Sequence, residues 1–192
     1  MSKKIAILSS GKSRGSNFLA IYEHIVIQNL PVQIDYIIVT DLSAPIVQLA
    51  KQRDITVMCY EDTKIKINDF LVNTIMQNPV ELIVLAGFMR KLNSSFFQFV
   101  STPIVNVHPA LLPKYGGKGM FGAHVHQAVF NAGERESGAT VHFANEHYDK
   151  GDIIYQKKCD ITDCNSPEEI GKKVLQIEHE IYPKVIAKLL QL

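Results

Sequence analysis

A carboxamide and an imidazole lie two residues apart near the middle of the chain, in Asn106-Val107-His108-Pro109. Residues two apart in a β-strand point to the same face, so a strand here would aim Asn106 and His108 at one place. An amide N–H can stabilise a developing oxyanion, and an imidazole can move a proton near neutral pH. The pair therefore favours acyl-type chemistry, although a single histidine at a strand end is more often structural or solvated.

Three more polar residues follow this pair in the sequence. Thr140 and His142 are also two apart in a strand-like segment, and Asp149 lies in a turn that leads to Gly151. A carboxylate beside His108 would favour the imidazolium form. The alternative is that Asp149 only forms the turn, as aspartates before glycine commonly do.

A turn rich in glycine and serine follows the first strand-like segment, over residues 9–17. Such a turn at the start of a helix presents free backbone N–H groups and the positive end of the helix dipole, which suits a phosphate. Gly15 lets the backbone approach closely, and Ser16 and Asn17 offer an N-cap and side-chain contacts. The turn matches neither the dinucleotide fingerprint nor the P-loop, so an ordinary turn that binds nothing remains the alternative.

A metal site is not expected. His124 and His126 are the only closely spaced pair of ligand-type residues in their region, and no third ligand stands at a recognisable spacing.

These side chains need a scaffold, and the apolar runs predict one. β-Branched runs of strand length alternate with helix-like stretches through residue 107, which is typical of a doubly wound, mostly parallel α/β sheet. The predicted strands are 4–9, 36–40, 55–58, 82–86 and 104–107, and the predicted helices are 17–29, 44–53, 67–77 and 93–100.

The second part of the chain departs from this alternation. Two prolines and four glycines in residues 109–123 predict a long loop, followed by a helix over 124–131. Segments 138–143 and 152–158 resemble strands that extend the sheet antiparallel. A last helix begins near Pro167, with Ser166 as its N-cap and apolar residues recurring at spacings of three and four. We interpret residues 1–192 as one domain.

Composition excludes several classes of protein. The chain has 192 residues, 46% of them apolar, and a formal net charge of +1, so no general attraction to nucleic acid or anionic membranes is expected. No apolar run approaches the roughly 18 residues that span a bilayer, and the N-terminus does not resemble a secretory signal. Three cysteines without a Cys-x-x-Cys pair indicate a reducing compartment, so we expect a cytoplasmic protein.

Four strings of residues, with a weaker fifth at Glu178–Pro183, together resemble the phosphoribosylglycinamide formyltransferases, the folate-dependent GAR transformylase family of purine synthesis. They span nearly the whole chain, and the string around His108 with its downstream aspartate is the most specific. The strings are Gly15-Ser16-Asn17, Leu85-Ala86-Gly87-Phe88-Met89-Arg90, Asn106-Val107-His108-Pro109-Ala110-Leu111-Leu112-Pro113-Lys114-Tyr115, Gly138 to Phe143 with Asp149, and Glu178-His179-Glu180-Ile181-Tyr182-Pro183.

The resemblance implies a Rossmann-like formyltransferase fold, a reaction and a role for each matching residue. The reaction is transfer of a formyl group from 10-formyltetrahydrofolate, a co-substrate, to the amine of N1-(5-phospho-D-ribosyl)glycinamide. Residues 1–105 would form the nucleotide-binding half, and 106–192 the catalytic and folate-binding half. The resemblance implies that the catalytic residues are Asn106, His108 and Asp149, supported by Thr140 and His142. It implies that the phosphate and ribose are held by Gly15, Ser16, Asn17 and Glu178. The folate contacts that it implies are Met89, Arg90, Lys91, Leu92, Asn106, Asn145, Glu146, His147, Tyr148 and Asp149.

The chain departs from the commonest family pattern at four places. Lys12-Ser13-Arg14 lengthens the phosphate loop, and 116–122 forms a glycine-rich insertion. Lys64 and Lys66 stand where the family often has an arginine for the folate tail. Leu175 replaces a polar residue that is often found near the ribose.

Two alternatives remain open from sequence. Other formyltetrahydrofolate-dependent transferases and hydrolases share the Asn, His and Asp residues, but they usually carry an extra domain. A non-catalytic nucleotide-binding module could use the same fold. The partners expected on the favoured interpretation are a small ribonucleotide and folate, with no nucleic acid or membrane, in a monomer or homodimer.

Overall fold

The computed structural model describes residues 2–61 and 65–192, which form one mixed sheet covered by helices on both faces. The strands are β1 (Lys3–Leu8), β2 (Val32–Val39), β3 (Thr56–Cys59), β4 (Leu82–Leu85), β5 (Ile104–His108), β6 (Glu136–Phe143) and β7 (Ile153–Asp160). The helices are α1 (Ser16–Ile27), α2 (Pro45–Lys51), α3 (Ile67–Gln77), α4 (Ser94–Phe99), α5 (Ala123–Asn131) and α6 (Pro167–Leu189).

The strand order is β3-β2-β1-β4-β5-β6-β7. The first five strands are parallel, whereas β6 and β7 run antiparallel to their neighbours. This confirms the predicted doubly wound sheet with an antiparallel C-terminal extension. The chain order reverses between β1 and β4, and the crevice at such a point is where open α/β sheets bind ligands.

Each sheet face has its own core because side chains alternate along the strands. Ile5 and Ile7 of β1 face the core under α1, α2, α5 and α6, while Ala6 and Leu8 face the core under α3 and α4. All four side chains are fully buried. The near-continuous apolar runs of the sequence therefore reflect burial on both faces.

Strand β2 begins at Val32, four residues before the predicted start at Tyr36. Residues 32–35 alternate buried and more exposed side chains, so they lack the continuous apolar run that marked the other strands. Their backbone pairs with β1, whose register shifts between Ile5 and Ala6. Pairing with a buried neighbour thus extends a strand beyond its apolar part.

Helix α6 begins as predicted. The Ser166 side chain accepts a hydrogen bond from the Glu169 N–H at 3.2 Å, and Pro167 occupies the first turn. The Glu169 carboxylate in turn accepts from the Asn165 N–H at 2.7 Å. Within the described ranges, no helix is long and apolar enough to cross a membrane.

Gly151 generates a prediction about stability, because it closes the turn between Asp149 and β7 against the end of β6. A Cβ at this position would lie 1.7 Å from the Phe143 carbonyl oxygen, a backbone atom that cannot move away alone. We expect Gly151→Ala to lower the free energy of unfolding by about 1–3 kcal/mol, as overpacking typically does. Urea denaturation of this variant and of Asp152→Ala, a change of an exposed neighbouring side chain, provides the measurement and its control. Equal stability of the two variants would contradict the prediction.

Candidate active site

The antiparallel pairing of β5 with β6 builds the centre of the site. Asn106 lies opposite His142, and His108 lies opposite Thr140. Because directly opposed residues share a face, all four polar side chains point to the same side of the sheet. His108, Thr140 and His142 are buried, whereas Asn106 is partly exposed at the mouth of the crevice.

The two ring nitrogens of His108 have different partners: Nε2 bonds to a backbone carbonyl, and Nδ1 faces the Asp149 carboxylate. Its Nε2 lies 2.7 Å from the Tyr115 carbonyl oxygen, which can only accept, so Nε2 carries a hydrogen. Its Nδ1 lies 3.5 Å from Asp149 Oδ2. Nδ1 is therefore the ring atom that can exchange a proton within the site.

The Asp149 carboxylate lies between two imidazoles. Besides the contact with His108, its Oδ1 is 3.6 Å from His142 Nε2. The Gly117 N–H donates to Oδ2 at 2.8 Å, which ties the carboxylate to the loop after β5. Asp149 adopts a left-handed backbone with φ of 55°. The structure thus brings together three residues that lie up to 43 positions apart, from 106 to 149.

Asn106 is oriented by His142. The His142 Nδ1 donates to the Phe143 carbonyl at 2.8 Å, which leaves Nε2 as an acceptor in the neutral ring. Asn106 Nδ2 lies 3.1 Å from that Nε2 and donates one of its two hydrogens to it. Burial lowers the pKa of His142 despite the opposing effects of the Phe143 carbonyl and Asp149. The ring therefore stays neutral, and the second amide hydrogen of Asn106 has no partner within the described part of the chain.

Thr140 is a structural support: among the described residues, its hydroxyl bonds to the loop after β5 and to β7 rather than to Asn106, His108 or Asp149. Its hydroxyl donates to the Ala110 carbonyl at 2.6 Å and accepts from the Leu112 N–H at 3.1 Å. Gln156 of β7 also donates to it at 2.8 Å. These bonds fix the start of the long loop after His108.

A second group of side chains holds the residue that contacts His108. The Tyr115 hydroxyl donates to Glu134 Oε1 at 2.9 Å, and Lys114 Nζ pairs with the same oxygen at 2.9 Å. Tyr115 itself has a left-handed backbone, with φ of 56°. The Glu134 carboxylate thus anchors the segment whose carbonyl receives His108 Nε2.

The phosphate loop forms as a turn into α1, but its cap differs from the prediction. We expected Ser16 or Asn17 to be the N-cap; instead Gly15 occupies that position with φ of 79° and no side-chain cap. Ser16 and Asn17 are the first residues of the helix. This position favours glycine, because its φ is positive and a Cβ on residue 15 would lie 3.0 Å from Ile46 Cβ. Without a side-chain cap, the first N–H groups of α1 remain available to a ligand.

The Asn17 side chain turns away from the loop backbone toward α6. Its Nδ2 donates to Glu178 Oε2 at 2.7 Å, across 161 positions of sequence. Burial raises the pKa of Glu178 to about 7, and the Asn17 hydrogen bond opposes this shift. Among the described residues, Asn17 Oδ1 is buried without a hydrogen-bond partner.

The segments predicted to bind folate follow β4 and connect β6 to β7. The Met89 N–H is already bonded to Ser10 Oγ at 2.7 Å, and the Lys91 carbonyl to Asn68 Nδ2 at 3.1 Å. Leu92 is buried, so its side chain belongs to the core under α3 and α4. The remaining predicted residues are exposed: Arg90, Asn145, Glu146, His147 and Tyr148.

All four departures from the family pattern can be placed, one of them in part. Lys12 and Arg14 are exposed in the phosphate loop, and Lys66 is exposed at the start of α3, while Lys64 lies outside the described residues. The 116–122 segment has no helix or strand and holds Gly117, the donor to Asp149. Leu175 is exposed on α6.

No metal-binding group of three or more His, Cys, Asp or Glu side chains occurs in the part of the chain that the structure describes. The expectation of a metal-free site stays a prediction.

Sequence reasoning missed several residues that build the site. Tyr115 and Gly117 act through backbone atoms, which their side-chain types do not reveal. Glu134 and Gln156 lie in segments without a chemical pattern. Tyr182 was noted only as part of a family string, yet its hydroxyl contacts the backbone below the site.

Comparison with known proteins agrees with this geometry. Residues 3–186 match the family model described as formyl transferase. The chain is 35% identical to the phosphoribosylglycinamide formyltransferase of Haemophilus influenzae, over 96% of this chain and 85% of that protein. It is 33% identical to the chloroplastic enzyme of Arabidopsis thaliana over 97% of this chain. The chain spans 65% and 61% of the lengths of the two plant relatives.

A solved structure gives the same result for the fold. The phosphoribosylglycinamide formyltransferase of Bacillus halodurans superimposes with a TM-score of 0.87 at 29% identity, covering 98% of this chain and 95% of that one. The likeness therefore extends over nearly the whole fold.

The buried carboxyl of Glu178 generates a prediction about pH. Its pKa is raised from the ordinary 4.5 to about 7, so the folded state holds more protons than the unfolded state between these values. Stability from this group is therefore full below pH 4.5 and is lost as the pH rises through 7. Glutamine carries no charge at any pH, so the Glu178→Gln variant does not lose this stability. Its free energy of unfolding should therefore rise by about 3 kcal/mol relative to that of the parent protein between pH 4.5 and pH 7.

Urea denaturation between pH 4.5 and pH 8 measures the difference. Glu168→Gln is the control, because it removes an exposed carboxylate from the same helix. A stability difference between Glu178→Gln and the parent protein that does not change with pH would contradict the account of a buried charge.

Proposed function

The chain belongs to the formyl transferase family, and from that premise we propose that it transfers a formyl group from 10-formyltetrahydrofolate to the amine of N1-(5-phospho-D-ribosyl)glycinamide. This is a one-carbon transfer step of de novo purine biosynthesis. The relatives named for this activity support it.

One observation carries the proposal. Asn106 and His108 of β5 converge with Asp149 of the turn before β7, and together they supply a second amide hydrogen, a ring nitrogen that faces the carboxylate, and the carboxylate itself. Formyl transfer needs an oxyanion donor and a proton carrier at one carbon, and this group supplies both. A protein that only binds nucleotides has no use for this arrangement.

In the proposed reaction, folate supplies the formyl group on its N10. The substrate amine forms the new C–N bond, the bond from the formyl carbon to N10 breaks, and one proton passes from the amine to N10. Asn106 donates its second amide hydrogen to the formyl oxygen as negative charge develops there. His108 Nδ1 carries the proton, while Asp149 and the Tyr115 carbonyl hold the ring in place.

The ribonucleotide would bind at the start of α1 and on α6. The uncapped N–H groups of Ser16 and Asn17 are suited to the phosphate, and the dipole of α1 favours its charge. Glu178 would accept hydrogen bonds from the ribose hydroxyls. Asn17 Oδ1, beside Glu178, is buried and has no partner among the described residues, and this supports a hydroxyl ligand there, because the oxygen needs a hydrogen-bond donor.

Folate would lie against the segments 89–92 and 145–149. Since the Met89 N–H and the Lys91 carbonyl already have partners, we assign polar recognition to the remaining backbone groups. Arg90 and Lys91 are exposed cations suited to the acidic tail.

We propose a cytoplasmic protein, which the three free thiols support, although the plant relatives are named as chloroplastic. We propose that it acts as a monomer or homodimer without nucleic acid or membrane partners.

The decisive assay offers the purified protein 10-formyltetrahydrofolate with and without the ribonucleotide and follows the absorbance of the folate product. We expect turnover only when both substrates are present. Turnover without ribonucleotide would indicate a hydrolase, and tight binding of both compounds without turnover would indicate a binding module.

Substitution of the two central residues tests the mechanism. We expect Asn106→Ala and His108→Ala each to lower kcat on the order of 100- to 1000-fold, because each removes an oxyanion donor or a proton carrier. Circular dichroism should show that both variants remain folded. His24→Ala, at the far end of α1, is the control and should keep its activity. A kcat close to that of the parent protein in either Asn106→Ala or His108→Ala would contradict the proposed mechanism.

A further inference from the structure

A buried phenol lies beneath the site and contacts two strands at once. Tyr182 of α6 is fully buried, and its hydroxyl oxygen is 2.9 Å from the Leu85 carbonyl and 3.0 Å from the Val105 carbonyl. A hydroxyl has one hydrogen, which here lies between two acceptors on neighbouring strands. Burial, followed by the charge of Glu178, raises the pKa of Tyr182 well above its ordinary value, so the hydroxyl remains a donor.

The two carbonyls belong to the residues from which the site begins. Leu85 is the last residue of β4 and pairs directly with Asn106 of β5. Val105 is the residue before Asn106. Beyond Leu85 the chain enters the segment 86–92, proposed above to meet folate, and beyond Val105 it presents Asn106 and His108.

The same helix also carries the proposed ribose contact. Glu178 precedes Tyr182 by four residues, so both side chains lie on one face of α6, one turn apart. Tyr182 thus connects the element that would hold the ribonucleotide with the strand ends that would hold the formyl group and its oxyanion donor.

We propose that Tyr182 is a positioning residue, whose hydroxyl sets the ends of β4 and β5 against α6 and so fixes Asn106 relative to both substrates. The inference rests on the proposed function for its catalytic consequence. The hydroxyl touches no substrate, and its contribution is to keep the reacting atoms at their working separation. A displacement of about 1 Å at a reacting centre can cost on the order of 100-fold in rate.

The test removes the hydroxyl and keeps the ring. We expect Tyr182→Phe to lower kcat by about 10- to 100-fold, with KM for each substrate changed by less than about threefold. Tyr36→Phe is a matched control, because Tyr36 is 1% exposed and its hydroxyl donates to the Asn78 carbonyl at 2.9 Å, in the core under α3 and α4. Its kcat should stay within about twofold of the parent protein, since that carbonyl lies outside the site.

A second readout does not depend on activity. Hydrogen exchange of the backbone amides of Gly87, Asn106 and Val107 should be faster in Tyr182→Phe than in Tyr36→Phe. Introducing p-aminophenylalanine at position 182 keeps a donor there and should restore both kcat and slow exchange.

The outcomes separate this inference from the proposed function. If the parent protein transfers no formyl group, the proposed function fails, and the exchange comparison still tests the positioning. Equal kcat in Tyr182→Phe and the parent protein, or equal losses in the two phenylalanine variants, would overturn the inference. Unchanged exchange at the three amides would also overturn it.

Discussion

The register between β5 and β6 is the constraint from which the rest of the site follows. It sets Asn106 against His142 and His108 against Thr140, so that all four polar side chains lie on the same sheet face. A slip of β6 by one residue would turn Thr140 and His142 to the opposite face, and His142 could then no longer orient Asn106. The hydrogen bonds of Thr140 to the loop after β5 then place Tyr115 and Gly117 where they contact His108 and Asp149.

Burial determines which ionisable side chains of the site are neutral. His142 stays neutral because it is buried, and it can therefore accept from Asn106 rather than compete with it for acceptors. The Asp149 carboxylate is the nearby negative charge and contacts both imidazoles. On α6, burial of Glu178 favours its protonated form up to about pH 7, and the stability that this group contributes is lost as the pH rises from 4.5 through 7. A bound ribose would change that balance by supplying donors to the carboxylate.

Much of the fold could be predicted from sequence because its signals are local. Continuous apolar runs mark the strands that are buried on both faces, and Ser166 with Pro167 marks the start of α6. The start of β2 could not be predicted from sequence, because residues 32–35 become a strand only by pairing with β1. The lack of room for a Cβ at Gly15, the N-cap of α1, comes from the approach of Ile46, a tertiary effect that local side-chain preference does not contain. For the site, side-chain chemistry indicated Asn106, His108 and Asp149, whereas the contributions of Tyr115 and Gly117 come from backbone atoms.

The account depends on the formyl carbon meeting the substrate amine beside Asn106 and His108, and the most direct measurement follows that carbon. The protein is mixed with the ribonucleotide and with folate that carries a carbon-13 label in its formyl group, and the label is traced by NMR. The account predicts that the label moves to the glycinamide nitrogen with little free formate. Release of the label as formate, or its retention on folate while both compounds are bound, would contradict it.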